Sequence, residues 1–216
     1  MSEQAGGQPP ELRDILNTPL REFIAQTAAR SPTPGGGSVA AVAGALSAAL
    51  AEMALQYTLT RRTAAAQRDA LAGEIDKFRK AAGLLQELVG EDIAAYTQLS
   101  RLLKLPEEKR AAHPDFLPAV VAAIAAPQSV AGLAHYILER CHALLGQCSP
   151  FLLSDLGVAA AYAHATVHAA ELNVLVNLRL LPNRAEAAAK RKELDELALK
   201  SDTLYRKIRE HMHEKL

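Results

Sequence analysis

The stretch "SPTPGGGSVAAVAGALSAALAEM", Ser31 to Met53, decides the fold. Two prolines and three consecutive glycines run straight into a segment that is mostly alanine. Proline and glycine interrupt regular structure, whereas alanine is the strongest helix former. The stretch therefore predicts a turn opening directly into a helix over about 38–60, with Ser38 as its N-terminal cap. From Val39 to Ala51 no residue carries a charge, and the first charge is Glu52. That uncharged run is shorter than the roughly 20 residues a membrane span requires. A helix apolar on every side must be covered on every side, so it is expected in a protein core.

Outward from this helix the chain keeps the same character. A second alanine-rich helix is expected over about 155–181, capped by Ser154 and stopped by Pro182. Leu71, Ile75, Phe78, Ala82, Leu85, Val89, Tyr96, Leu99 and Leu103 recur at three- and four-residue steps, with one seven-residue step from Val89 to Tyr96, predicting one long helix over 64–104 that Pro106 ends. Pro114, Pro118 and Pro127 break up 107–127, and a helix is expected over 128–146. Upstream, Thr18-Pro19 opens a short amphipathic helix that stops before Ser31-Pro32, and Asn183 opens a charged terminal helix. No strand pattern occurs. The expected fold class is all-α, an antiparallel bundle of long helices forming a single domain over 1–216, with 1–14 flexible. Two helices apolar on nearly every face are more than one chain of 216 residues readily covers, so the alanine-rich pair is expected to form the core of a homodimer. The alternative is a central helix surrounded by its own bundle.

Composition narrows the function. Lysine plus arginine equals aspartate plus glutamate at 24 each, so the basic surplus of a nucleic-acid binder is missing. The polar beginning, MSEQAGGQPP, does not read as a signal peptide. Cys141 and Cys148 show no metal-ligand spacing, which fits a reduced, cytoplasmic chain.

Gly35, Gly37 and Ala40 match the G-x-G-x-x-A spacing of dinucleotide-binding loops, but a helix rather than a strand precedes them. The phosphate-binding P-loop reading fails because no lysine follows. Two readings survive: a ligand cradle built on free N–H groups at a helix start, or a tight loop that only packs. His164, His168 and Glu171 share a helix face and have zinc-ligand spacing, yet "HATVH" lacks the glutamate of H-E-x-x-H; packed or surface residues are the expectation, and no metal is assigned. Glu52 requires a partner, either Arg61 or Arg62 brought near by folding, or a site. Asp92 stands just before Tyr96, Asp155 suits a helix cap, and Asn173 and Asn177 share one face of the second alanine-rich helix.

Together these segments resemble the cyclodeaminase/cyclohydrolase family of tetrahydrofolate enzymes. The Ser31–Met53 stretch is similar to that family's N-terminal signature, "EDIAAYTQLSRLLKLP" to its acidic segment, and "SDLGVAAAYAHA" and "ELNVLVNL" to its later helix. The likeness runs over about 15–205, with Ile93 and Glu107 departing from the family pattern. The resemblance implies an all-helical homodimer that binds folate near the glycine loop. Gly35, Gly36, Gly37 and Ser38 would line the site, with Arg61, Arg62, Asn173 and Asn177 contributing to substrate binding. Asp92 would act at the reacting carbon, and Asp155 would orient the pterin or a water. The implied activity is formimidoyltetrahydrofolate cyclodeaminase or methenyltetrahydrofolate cyclohydrolase, with no cofactor beyond the folate itself. A non-catalytic folate binder or a purely structural helical dimer are the alternatives.

Overall fold

The computed structural model describes residues 15–60 and 63–216. Arg61 and Arg62, and the expected flexibility of 1–14, lie outside the described residues. The described residues form helices and no strands: α1 (Leu20–Ala28), α2 (Gly36–Thr58), α3 (Ala65–Leu103), α4 (Glu107–Ala111), α5 (Phe116–Ala143), α6 (Leu153–Leu178) and α7 (Arg184–Lys215), with short 3-10 turns at Ile15–Asn17 and Pro150–Leu152. The all-α antiparallel bundle read from the sequence is the fold observed.

Four helices, α2, α3, α5 and α6, form a ring in which each runs antiparallel to its neighbours. Ser38 meets Asp92 while Glu52 meets Arg79, which sets α3 against α2. Ser47 donates to the Ala159 carbonyl at 2.7 Å, and Thr58 accepts from the Ser149 N–H, which sets α6 against α2. The alanines are what permit this proximity. Ala41, Ala48, Ala51 and Ala54 on α2, and Ala159, Ala160, Ala163 and Ala170 on α6, are fully buried. A Cβ at Gly44 would stand only 3.2 Å from the Leu85 methyls on α3 and the Thr166 methyl on α6, so side chains of two neighbouring helices fill the space that Gly44 leaves. Larger side chains on the longer helix α3, Leu71, Phe78, Leu85 and Leu99, fill the space left between. Helix α7 lies outside the ring against α6 and α5.

Three boundaries differ from expectation. Helix α2 begins at Gly36 with Gly35 as its cap, so Ser38 lies inside the first turn and its side chain is free for another partner. Helix α6 begins at Leu153, which likewise places Ser154 inside the first turn rather than at the cap. Helix α5 begins at Phe116, not near 128, and continues through Pro127. Pro118 sits in its first turn, where no N–H is needed. Pro127 has no N–H to give the Ala123 carbonyl one turn back, and the Asn177 side chain on α6 supplies that bond instead, Nδ2 to O at 2.8 Å.

Helices α2 and α5 are long and apolar enough to cross a membrane by length and composition, and both are packed into the ring. Neither α2 nor α6 is covered on all sides. Val39, Leu46 and Tyr57 on α2, and Val158, Tyr162, Leu172 and Val176 on α6, remain exposed.

Candidate active site

The first turn of α2 packs against the middle of α3 and the C-terminal half of α6. Its glycines make this possible. A Cβ on Gly37 would overlap the Asp92 carboxylate and stand 2.5 Å from its Cγ. A Cβ on Gly36 would stand 3.1 Å from Asn173 Oδ1. The buried Ser38 hydroxyl donates to Asp92 Oδ2 at 2.8 Å. The carboxyl group thus reaches across from α3 to the positive end of α2, where unpaired N–H groups and the helix dipole favour an anion.

The electrostatics of Asp92 are a balance of opposed effects. Burial among small apolar residues is the larger, and it raises the carboxyl above its ordinary value. The Ser38 hydroxyl and the Ser38 backbone N–H pull the other way without cancelling it. The result is an acid that exchanges a proton closer to neutrality than a solvated aspartate does, while its half-buried side chain stays reachable. Tyr96, one turn further along α3, is exposed and shares the Asp92 face.

The residues singled out from the sequence are only partly assembled here. Gly36, Gly37, Ser38, Asp92 and Asn173 come together, with Gly35 as the helix cap beside them. Asn173 uses Nδ2 on its own helix, at the Ala169 carbonyl, and turns Oδ1 toward Gly36. Asn177 directs its amide nitrogen to the Ala123 and Asn173 carbonyls, so that end of the side chain holds two helices in register. Asp155 is elsewhere. It lies in the first turn of α6, 18 residues from Asn173, which is about 27 Å along the helix axis at ~1.5 Å per residue.

Glu52 has a partner on α3; the expected pairing with Arg61 or Arg62 lies outside the described residues. Arg79 on α3 takes its Oε1 in two contacts, Nη2 at 2.7 Å and Nε at 3.1 Å. Nothing local in the sequence marks Arg79, because the pairing crosses 27 residues. The same is true of the hydroxyl of Ser38, which reads as a cap until the distant carboxylate is placed beside it.

The profile of the formiminotransferase-cyclodeaminase family matches residues 19–196. The methenyltetrahydrofolate cyclohydrolase of Methylorubrum extorquens is 28% identical over 204 residues, covering 93% of this chain and 98% of that protein. The mouse formimidoyltransferase-cyclodeaminase is 35% identical over 175 residues, covering 77% of this chain; the match spans only 32% of that longer protein. The crystal structure of a formiminotetrahydrofolate cyclodeaminase from Thermotoga maritima has the same fold, with a TM-score of 0.84 at 24% identity, covering 93% of this chain and 98% of that one. The match to the family profile covers most of the chain, including α2, the Asp92 region of α3 and all of α6: the chain belongs to the formiminotransferase-cyclodeaminase family.

Proposed function

We propose that the protein is a tetrahydrofolate one-carbon enzyme acting at the carbon of 5,10-methenyltetrahydrofolate, and that its reaction is the cyclohydrolase. The observation that carries the proposal is Asp92, a partly buried carboxyl with a raised proton affinity set against the glycine-built start of α2. In the hydrolase, water attacks the methenyl carbon and the ring opens at N5 to give the 10-formyl product. Asp92 takes the proton from that water as general base, a role worth about 10²–10⁴-fold in rate. Its negative charge also stabilises the cationic methenyl group before attack. Free N–H groups at the start of α2, the Asn173 amide oxygen and Tyr96 supply polar and stacking contacts for the pterin. The near-complete, end-to-end match with the bacterial cyclohydrolase favours this direction.

The cyclodeaminase reading rests on the higher identity to the mouse protein. There N10 attacks the formimino carbon, and ammonia leaves. Asp92 would accept the N10 proton and return it to the departing nitrogen. No metal or redox group is required by either route.

The remaining proposals concern assembly and place. The apolar residues left open on α2 and α6 support a homodimer through those helices. Asp155 can then serve the same carbon only if a second copy supplies it, because the length of α6 separates it from Asp92 within one chain. A cytoplasmic location fits the two free, buried cysteines; burial pushes the Cys141 thiol up to about 12.

Loss of the near-ultraviolet absorbance of methenyltetrahydrofolate tests the hydrolase, and ammonia release from the formimino compound tests the deaminase. Enzyme-dependent turnover in neither assay overturns the proposal. Light scattering of Leu46→Glu/Tyr162→Glu tests the dimer: the expected result is a monomer, and an unchanged mass removes this face as the interface.

A further inference from the structure

We propose that His164, His168 and Asp202 form a binding site for one divalent transition-metal ion of the zinc class, on the seam between α6 and α7. No part of the folate chemistry uses these residues. His168 lies five positions from Asn173 on α6, turned by about 140° around the helix at ~100° per residue, so it faces α7 rather than α2.

Three observations carry the site. The first is convergence. Both Nε2 atoms point at the same oxygen, Asp202 Oδ1, from 2.7 Å for His164 and 2.8 Å for His168, and the two Nε2 atoms are 3.2 Å apart. In a tetrahedral zinc site with bonds of about 2.0–2.1 Å, neighbouring ligand atoms stand roughly 3.3 Å apart. An outward shift of a few tenths of an ångström turns this triangle into three corners of such a tetrahedron.

The second observation is the orientation of His168. Its Nδ1 lies 3.1 Å from Glu171 Oε2. A carboxylate accepts, so in the neutral ring the hydrogen belongs on Nδ1. That leaves Nε2 as a bare lone pair facing the oxygen of a second carboxylate, Asp202. Two acceptors at that distance are bridged either by a second ring proton or by a metal ion, and the proposed site is the metal-bridged case. A carboxylate behind the far nitrogen of a ligating histidine is also the arrangement that fixes tautomer and ring plane at metal sites.

The third is rigidity with access. The His164 ring stacks on Tyr205 of α7, with centroids 4.4 Å apart and planes 17° from parallel. Asp202 is half exposed, and a groove of about 440 Å³ lined by Arg206, Arg209 and His213 opens beside it. Three protein ligands and an open side leave the fourth position to water or a small anion. The sequence offered His164, His168 and Glu171, but Glu171 stands behind His168 at Nδ1 and is not in the converging set. The third ligand is Asp202, on a different helix 34 residues beyond His168.

The test uses the full chain, free of purification tags and treated with a chelator. Zinc chloride is titrated by calorimetry, and cobalt(II) is added separately to read its visible absorption. The expected result is one equivalent per chain, with the intense visible bands of four-coordinate cobalt. His164→Ala/His168→Ala should weaken zinc binding at least ~100-fold, and Glu171→Gln, a positioning change, about 10–100-fold. Zinc bound no more tightly by the natural chain than by the double variant overturns the site; the rings are then held by a proton alone. If the double variant does not fold, the cobalt spectrum of the natural chain decides: an octahedral, aqueous-type spectrum overturns the proposal. Neither readout depends on folate turnover.

Discussion

Replacing Gly37 by alanine should damage the protein where alanine would ordinarily help it. In the interior of a helix this exchange favours folding by up to ~1 kcal/mol. Here the new Cβ falls on the Asp92 carboxylate. Asp92 is a short side chain with nowhere to bend, so it must rotate away and surrender the 2.8 Å bond from Ser38. A hydrogen bond to a charged group contributes about 1.5–3 kcal/mol. Offset by the helix propensity gained, the net loss is ~1–2 kcal/mol, or a fall of about 2–8 °C in melting temperature for a chain of this size. Turnover should fall by about 10²–10⁴ because the base leaves the reacting carbon. Gly36→Ala is the internal control. Its Cβ meets only the end of the Asn173 side chain, at 3.1 Å, which can give by a few tenths of an ångström. Differential scanning fluorimetry and methenyltetrahydrofolate hydrolysis on both variants settle the matter. A Gly37→Ala protein that is as stable and as active as the natural one, or a Gly36→Ala protein equally destabilised, would refute the reasoning.

Asp92→Asn should abolish most turnover, by about 10²–10⁴, yet leave the melting temperature at neutral pH unchanged or higher. The folded-state proton affinity of Asp92 is raised, so stability is lost as pH climbs from the unfolded value through the folded one. The amide carries no charge to desolvate, and its advantage should vanish in acid below both values; a variant less stable at neutral pH than in acid, relative to the natural chain, sinks this account. Ser38→Ala removes a donor that favours the ionised carboxyl, so the acid limb of kcat/KM should move to higher pH, and a limb that stays in place would show that Asp92 is not the titrating base. Asn177→Ala strands the Ala123 carbonyl and should cost about 1–3 kcal/mol by chemical denaturation. Pro127→Ala restores the helical N–H to that carbonyl, so in the double variant the Asn177 loss should shrink; strict additivity would mean the two residues do not share it.

The helices were legible because each is long and its apolar spacing is unambiguous. Leu71 to Leu103 carried α3 almost to the residue. The failures lie where a distant group overrides a local rule. Pro127 reads as a helix breaker, and it would be one without an asparagine arriving from α6. Ser38 and Ser154 read as caps because serine before a helix usually is one, but one of them answers to a carboxylate across the bundle and the other sits one position inside its turn. The candidate site was legible in its parts. Only the family resemblance placed Asp92 and the glycines in one site; the spacing alone left the loop open between a cradle and simple packing, and the structure sets the Asp92 carboxylate against Gly37. Asp155 reads as the start of its helix, but nothing in the sequence says which end of that 26-residue helix faces the glycines. Asp202 left no trace at all, as a lone aspartate in a charged helix looks like solvated surface.

The bond from Asn177 to the Ala123 carbonyl also bears on the order in which the chain acquires its shape. The interior backbone hydrogen bonds of a helix are ordinarily closed within the helix itself. Helix α5 is an exception at one rung. During synthesis its residues emerge with the carbonyl of Ala123 left to water, and the closing amide is 54 residues away. Until α6 docks, α5 lacks a protein partner for that carbonyl beside Pro127. In the folded protein the dependence runs in reverse: parting α6 from α5 frees that rung, so amide hydrogens around the proline should exchange together with those of α6 and not with the rest of their own helix.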